Sequence, residues 1–391
     1  MEYRRFGGTE LQIPVITCGA MRFQQSWKDD DPVSDESQRN VEECIRHALE
    51  LGINHIETAR GYGTSEYQLG KVLPSLPRDR IYVQTKVGPS KNVAEFAETF
   101  ERSMSLLHLD YVDLFSFHGV NDDAVLEAAM VCMDTALAWK REGRIRDIGF
   151  STHGGVETVR KAIETGAFEH VNLHWYFIYQ DHWENILEAR RRDMGVLIIS
   201  PNDKAGMLYK PSEKLLRLCD PLHPMVFNGL FCLARPEVHT ISVGVSRAAD
   251  FDTHMETVAL LPRAREMVAP IERRLHEEMT RTLGEDWVAT WDQGLPRWDE
   301  APGEMNIEWI LRLRNLVLAF DMIEYAKMRY NLLGNGGHWF PGNKADRVQE
   351  LDLGACLKRS PHAHRIPDYL MEAHRMLEGE PVKRLQKNEQ Q

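Results

Sequence analysis

The chain has no paired-cysteine motif. Its six cysteines, Cys18, Cys44, Cys132, Cys219, Cys232 and Cys356, stand apart, and none forms a C-x-x-C pair. That spacing gives neither a disulfide framework nor a zinc site, and isolated cysteines read as small buried hydrophobes. Long apolar runs are missing as well: nothing approaches the roughly 18 residues needed to span a bilayer. The opening MEYRRFGGTEL lacks the apolar core of a secretory signal. Nor is there an excess of positive charge. The formal net charge is −12 over 391 residues, which argues against nucleic acid or a membrane surface as partner, because both select clustered Lys and Arg. Low-complexity tracts are absent. These absences predict a reduced, cytoplasmic protein.

What is present is an ordinary globular composition, 43% hydrophobic and 27% charged, ample for a large core. Short β-rich runs alternate with longer helical stretches. The strand candidates are PVITCGA (14–20), NHIETA (54–59), IYVQTKV (81–87), VDLFSFH (112–118), IRDIGFS (145–151), HVNLHWY (170–176), GVLIISP (195–201) and HTISVGV (239–245). Between them, SQRNVEECIRHALELG places Val41, Cys44, Ile45, Ala48 and Leu49 on one face, with Gly52 as a stop. NVAEFAETFERSMSLL does the same with Val93, Phe96, Phe100, Met104 and Leu107. Eight such units predict an α/β fold, a (β/α)₈ TIM barrel. An open doubly wound sheet is the competitor, but it calls for a Gly-rich turn after the first strand, and Cys18-Gly19-Ala20-Met21-Arg22 contains no G-x-G-x-x-G. The βα alternation ends near Pro262. Residues 1–262 are therefore expected to form the barrel, and 263–391 a mostly helical appendage carrying WVATWDQGLPRWDEAPGE and IEWILRLRNLVLAFDMIEYAKMRY.

Barrel enzymes place their chemistry at the carboxyl ends of strands. Glu57 ends the second predicted strand and Tyr62 lies just beyond it; Lys86 ends the third and His118 the fourth. Neighbouring strands lie about 4.8 Å apart, so these tips can converge. A phenol with a pKa near 10 is a poor acid at neutral pH. An adjacent ammonium favours the phenolate and lowers that pKa, and a carboxylate beside the ammonium keeps it protonated. An imidazole can orient the substrate oxygen. The expected roles are Tyr62 as general acid, Lys86 as its modulator, Glu57 as the lysine's partner and His118 as the orienting group. Taken singly, each has a duller use: a solvated lysine, a loop aromatic, a helix cap, a structural histidine. Their joint placement on one rim is the signal.

GINHIETARGYGTSEYQLGKVL, IYVQTKVG, DYVDLFSFHGV and GRIRDIGFSTH resemble, in order, the signature segments of the aldo-keto reductases. The resemblance covers about residues 1–260. It implies a (β/α)₈ barrel using NADPH or NADH without a Rossmann fold, reducing aldehydes and ketones or running the reverse. The family's Tyr, Lys and His fall on Tyr62, Lys86 and His118. Its Asp falls on Glu57, one methylene longer. Ser151 and Asn172 fall where members hold the nicotinamide carboxamide, and Gly19, Met21 and Arg22 lie on the same cofactor-facing rim. Ser200, Pro201, Asn202, Lys204 and Gly206 resemble the loop along the pyrophosphate. Gly244, Ser246, Arg247 and the helix after them resemble the adenosine phosphate site, with Asp250 and His254 standing where Gln and Asn are common near the adenine. NADP(H) is the expected cofactor, with NAD(H) as the other candidate.

The appendage segments EYAKMRYNLLGNGGHWFPGNKAD and IPDYLMEAHRML resemble a ferredoxin-like module found in one branch of that family. Its two cysteine quartets would fall on Asp292, Leu295, Trp298 and Ala301, and on Glu350, Leu353, Cys356 and Ser360. One cysteine in eight positions cannot hold clusters whose irons need thiolates, so no iron–sulfur cluster is expected. His338, His362 and His364 read as surface histidines, and no metal site is expected. Trp27, Trp175, Tyr176 and Trp339 are either pocket walls or core aromatics. His153 and His174 suggest a hydroxylated, sugar-like carbonyl or alcohol substrate. The alternative to an enzyme is an NADP(H)-binding sensor that has lost turnover, motivated by Glu57 and the missing cluster ligands.

Overall fold

The computed structural model describes residues 1–382. It divides into two compact units: Met1–Ala205 with Met225–Arg265, and Gly206–Pro224 with the chain from Glu266 onward.

The first unit opens with an antiparallel hairpin, β1 (Tyr3–Arg5) and β2 (Gln12–Pro14). Its Phe6 and Ile13 are buried against Leu114 and Leu197. A Cβ added at Gly195, the first residue of its strand, would lie 2.5 Å from the Phe6 ring. The hairpin therefore plugs the end of the barrel where the strands begin. Eight parallel strands come next: β3 (Ile16–Gly19), β4 (His55–Glu57), β5 (Tyr82–Val87), β6 (Val112–Phe117), β7 (Ile145–Ser151), β8 (His170–Leu173), β9 (Gly195–Ile199) and β10 (Thr240–Gly244). They close in chain order, with β10 beside β3. The expected TIM barrel is the observed one.

The helices around it are α1 (Asp35–Glu50), α2 (Ser65–Gly70), α3 (Val93–Leu107), α4 (Asp123–Arg141), α5 (Val156–Glu164) and α6 (Trp183–Arg191). Between β9 and β10 come α7 (Glu213–Cys219), which belongs to the second unit, and α8 (Pro224–Leu233); α9 (Asp250–Leu260) comes after β10. Side-chain caps start several of them: Ser34, Asn92 and Asp122 accept from the amides of Ser37, Glu95 and Val125, satisfying donors a helix start leaves open. The faces predicted from spacing are the buried ones, with Val41, Cys44, Ile45 and Ala48 on α1 and Phe96, Phe100 and Leu107 on α3.

The barrel interior is polar in its middle layers. Thr17 Oγ1 lies 2.8 Å from both His55 Nδ1 and Thr240 Oγ1. Gln84 Nε2 donates to Ser116 Oγ at 2.8 Å, which lies 2.9 Å from His170 Nε2. Burial pushes His55 and His170 down to about 3, so both rings are neutral at physiological pH.

The second unit is helical: α7, most of α10 (Ala264–Leu283), α11 (Glu285–Thr290), α12 (Ile307–Phe320), α13 (Ile323–Leu332), α14 (Gly354–Leu357) and α15 (Ile366–Leu377). Asn306 caps α12 by accepting from Trp309 N at 3.2 Å. Trp287 is buried and donates through Nε1 to Asn315 Oδ1 at 2.9 Å. His362, expected at the surface, is buried: its ring packs 4.9 Å from Trp287, and Nε2 meets Thr290 Oγ1 at 2.9 Å. No helix among the described residues is long and apolar enough to cross a membrane.

Candidate active site

Lys86 comes from β5, and its side chain is 1% exposed. An ammonium has three donors and no acceptor, and three acceptors surround this one. They are Glu57 Oε1, the Thr58 carbonyl at 2.8 Å and Tyr62 Oη at 3.2 Å. The Tyr62 hydroxyl can accept from an ammonium or donate to an amine, so it is the Glu57 carboxylate contact that favours the protonated form. Burial drives the lysine's pKa well below its ordinary value, because a dry site disfavours the cation. The carboxylate contact opposes that shift and keeps the proton in place. The ammonium also lies 4.7 Å from the Tyr62 ring centroid.

Glu57 ends β4 and is nearly as buried as its partner. While Oε1 holds Lys86, Oε2 accepts from Ser242 Oγ at 2.9 Å. Ser242 stands on β10, two strands from β4 in the closed sheet, with β3 between them. The contact is open because Gly19 occupies that stretch of β3. A Cβ there would lie 2.6 Å from Ser242 Oγ. Sequence reasoning places Gly19 with the cofactor group and passes over Ser242. The inward alternation of β10 together with the missing side chain at Gly19 was the available signal.

Tyr62 lies in the loop after β4, pinned by Tyr62 N donating to the Ala59 carbonyl at 3.0 Å and Arg60 N to the Lys86 carbonyl at 2.9 Å. Its ring meets that of His118 edge-on, with centroids 5.6 Å apart. His118 N donates to the Val87 carbonyl at 2.8 Å, which holds the tip of β6 beside that of β5. Gly61 leaves room for this approach, since a Cβ there would lie 3.4 Å from His118 Cε1. The four residues thus meet on one rim. Arg60 braces the loop, pairing with the fully buried Glu66 and with Asp29 at 2.9 Å. Gly63 (φ +55°) packs against the backbone of Ser26 and Trp27, where any side chain would collide. Trp27 is 40% exposed beside the site, whereas Trp175 and Tyr176 are core aromatics.

The remaining candidates fall in two groups. Ser151 and Asn172 are register partners at the ends of β7 and β8, both buried. Ser151 Oγ accepts from Gly119 N at 3.2 Å, and Asn172 Nδ2 has no partner among the described residues. The second group is nearer β10. Met21 and Arg22 lie in a 3-10 turn after β3, and Arg22 pairs with Asp203 at 3.3 Å. Arg22 packs against Gly244, where a Cβ would meet its Cδ at 3.2 Å. Past β9, Ser200 (φ 54°) turns the chain into Pro201 and Asn202, and Asn202 Nδ2 lies 3.2 Å from His254 Nε2. Burial pushes His254 down to about 4. Lys204 Nζ meets His153 Nδ1 at 2.9 Å, the atom that also faces His174 Nε2 at 2.9 Å. Gly206 begins the second unit. At the entry to α9, the Asp250 carboxylate accepts from Ser246 N at 2.9 Å, Arg247 N at 3.2 Å and Arg247 Nε at 3.0 Å. Those amides and that guanidinium are the groups expected to take an adenosine phosphate.

The barrel and its rim define a class that comparison with known proteins identifies. The model of the aldo/keto reductase family matches residues 15–315, and the chain belongs to that family. It is 29% identical over 160 residues to L-galactose dehydrogenase of Arabidopsis thaliana, covering 39% of this chain and 48% of that protein. To the NADH-specific methylglyoxal reductase of Escherichia coli (strain K12) it is 27% identical over 195 residues, 44% of this chain and 57% of that one. The chain spans about half the length of these curated relatives. Among solved structures, an aldo-keto reductase from Bacillus halodurans superposes with a TM-score of 0.58 at 21% identity, covering 70% of this chain and 96% of its own. That similarity concerns the fold.

Proposed function

We propose that this chain transfers hydride between a nicotinamide dinucleotide and a small carbonyl or alcohol substrate, with Tyr62 exchanging the proton. The observation that carries the reading is the saturated Lys86 ammonium, whose third hydrogen bond ends on Tyr62 Oη. The ammonium stabilises phenolate over phenol, so the phenol gives up its proton more readily as negative charge grows on the substrate oxygen. Glu57 holds the ammonium; His118, edge-on to Tyr62, is placed to orient that oxygen.

The residues present fit the dinucleotide. Asn172 Nδ2 is a buried donor that a primary carboxamide oxygen would satisfy, and the Ser151 hydroxyl is beside it in register. When bound, the nicotinamide supplies or takes up the hydride, and the protein's part is position and field. Arg22 and Lys204 bring positive charge to the loop expected to run along the pyrophosphate. Asp250 decides between NADP(H) and NAD(H), since its carboxylate now engages the donors a 2′-phosphate would need. A methylglyoxal-like or sugar-like carbonyl suits the polar His153–His174 wall.

We read the second unit as a ferredoxin-like module without its cluster ligands. Of the eight ligand positions, only Cys356 carries a thiol, and no group of three or more His, Cys, Asp or Glu among the described residues is arranged to hold a metal.

The test is Tyr62→Phe. Carbonyl reduction should fall about a hundred- to ten-thousandfold, in line with loss of a general acid (~10²–10⁴), while dinucleotide affinity stays within about twofold. Unchanged turnover removes Tyr62 as the acid. A wild-type protein that binds the dinucleotide and turns over no carbonyl would instead support the sensor.

A further inference from the structure

Arg329, on α13 in the second unit, is 8% exposed. Among the described residues, no carboxylate lies within ion-pair distance of it and none accepts a hydrogen bond from it; its Nε is fully buried without a partner. The two other well-buried arginines of this helical layer are paired. Arg312 meets Glu308 at 2.8 Å, and Arg314 meets Glu372 at 2.5 Å. A buried cation without a counter-charge is costly, since desolvation takes several kcal/mol from an ion.

What Arg329 does have is a stacking surface. Its guanidinium carbon lies 3.8 Å from the Phe340 ring centroid and 5.1 Å from that of Trp309. The two rings meet nearly edge-on, with centroids 5.0 Å apart. Stacking uses the flat face of a guanidinium. All five N–H donors lie in the plane and point away from the stack. The aromatic contacts therefore fix the plane of the fork and consume none of its hydrogen bonds. They return about 0.5–2 kcal/mol, less than the desolvation they accompany. A fork held rigid by that stack, its Nε buried without a partner and no protein acceptor for it among the described residues, is pre-organised for two oxygens of one anion.

We propose that Arg329, backed by Phe340 and Trp309, is a binding site for the oxyanion group of a small molecule, a phosphate or a carboxylate. Its recognition is bidentate, and the aromatic pair excludes water from one side of it.

The experiment uses the full chain. In ¹⁵N-resolved spectra, the Nε–H resonance absent from Arg329→Lys identifies this group. Titration with inorganic phosphate, or with acetate in a second arm, at constant ionic strength should shift that resonance saturably; the arm that saturates at lower concentration names the source. Melting curves are the second readout. Arg329→Met should melt at or above the wild type without added oxyanion, because it removes an unpaired buried charge. It should lose the Arg329-dependent part of the oxyanion-induced rise. Arg329→Lys keeps the charge without the fork and should weaken apparent affinity about tenfold or more. Arg347→Met, an exposed arginine paired with Glu350 in the same unit, should respond as wild type does. A resonance unmoved by either anion overturns the proposal. So does an Arg329→Met protein that melts below wild type and keeps the full oxyanion response, for then the arginine is only a packing element.

Discussion

Replacing Ser242 by Ala removes one hydroxyl and leaves Glu57 Oε2 buried without its donor. A hydrogen bond to a buried charged group is worth about 1.5–3 kcal/mol. That energy stabilises the charged form of Glu57, so its loss raises the carboxylate's pKa and loosens its hold on the Lys86 ammonium. The ammonium then lowers the Tyr62 pKa less. If most of the lost energy reaches the transition state, the barrier rises ~1.4–2 kcal/mol, and kcat/KM falls about ten- to thirtyfold. A general loss of stability would also slow the enzyme, so the decisive comparison is made in a Glu57→Asp background. The shorter side chain withdraws the carboxylate by about 1.5 Å and can keep Lys86 or Ser242, not both. There, Ser242→Ala should cost less than about threefold, giving a coupling energy near 1 kcal/mol in the double-mutant cycle. A readout free of turnover accompanies it: tyrosinate absorbance against pH, taken as the difference from Tyr62→Phe, should place Tyr62 ionisation higher in Ser242→Ala than in wild type. Equal losses in both backgrounds, or an unmoved Tyr62 titration, would refute the reasoning.

Asp250→Asn should strengthen NADPH relative to NADH by about tenfold, since removing a like charge beside a 2′-phosphate is worth ~1.4 kcal/mol; fluorescence titration of both dinucleotides measures it, and an unchanged ratio rejects the placement of the phosphate. Stability should fall as pH drops below the ordinary histidine range. Burial depresses His55 and His170 to about 3 and His239 and His254 to about 4. The unfolded chain therefore takes up protons that the folded one refuses, and each such histidine adds a slope of about 1.4 kcal/mol per pH unit. Urea midpoints taken downward from about pH 6.5 should decline steadily; a flat profile would show these rings already charged in the fold.

Much of the barrel is readable in the sequence because its signals are local. All eight strand candidates contain the observed strands, and the helical faces come from spacing alone. Glu57, Lys86 and His118 stand within a residue of a strand end and Tyr62 in the loop just after β4, so the four can be assigned to one rim from their order. The hairpin that plugs the barrel is not readable in the same way. Its strands are three residues each, too short for alternation to show. Ser242 escapes for another reason: its meaning lies across the sheet. Nothing near position 242 marks it, and only the register of β10, β3 and β4 brings its hydroxyl to a carboxylate 185 positions away. Nothing in the sequence around Arg329 singles it out; its burial against Phe340 and Trp309 appears only in the fold.

Glu57 takes its meaning from two other positions. From the sequence, an extra methylene between backbone and carboxylate looks like a lengthened lever that disturbs the lysine. In the fold, the added reach has a use: Oε2 extends past Gly19 to Ser242 while Oε1 stays on Lys86. A buried carboxylate with one oxygen unsatisfied is penalised, and a second donor relieves that penalty. The three positions therefore act as a set. Any side chain at Gly19 blocks the path, and an apolar residue at 242 strands an oxygen. An Asp at 57 gives up one of the two contacts. In a Glu57→Asp variant that keeps Lys86, the Ser242 hydroxyl loses its acceptor and the open path past Gly19 has no further use.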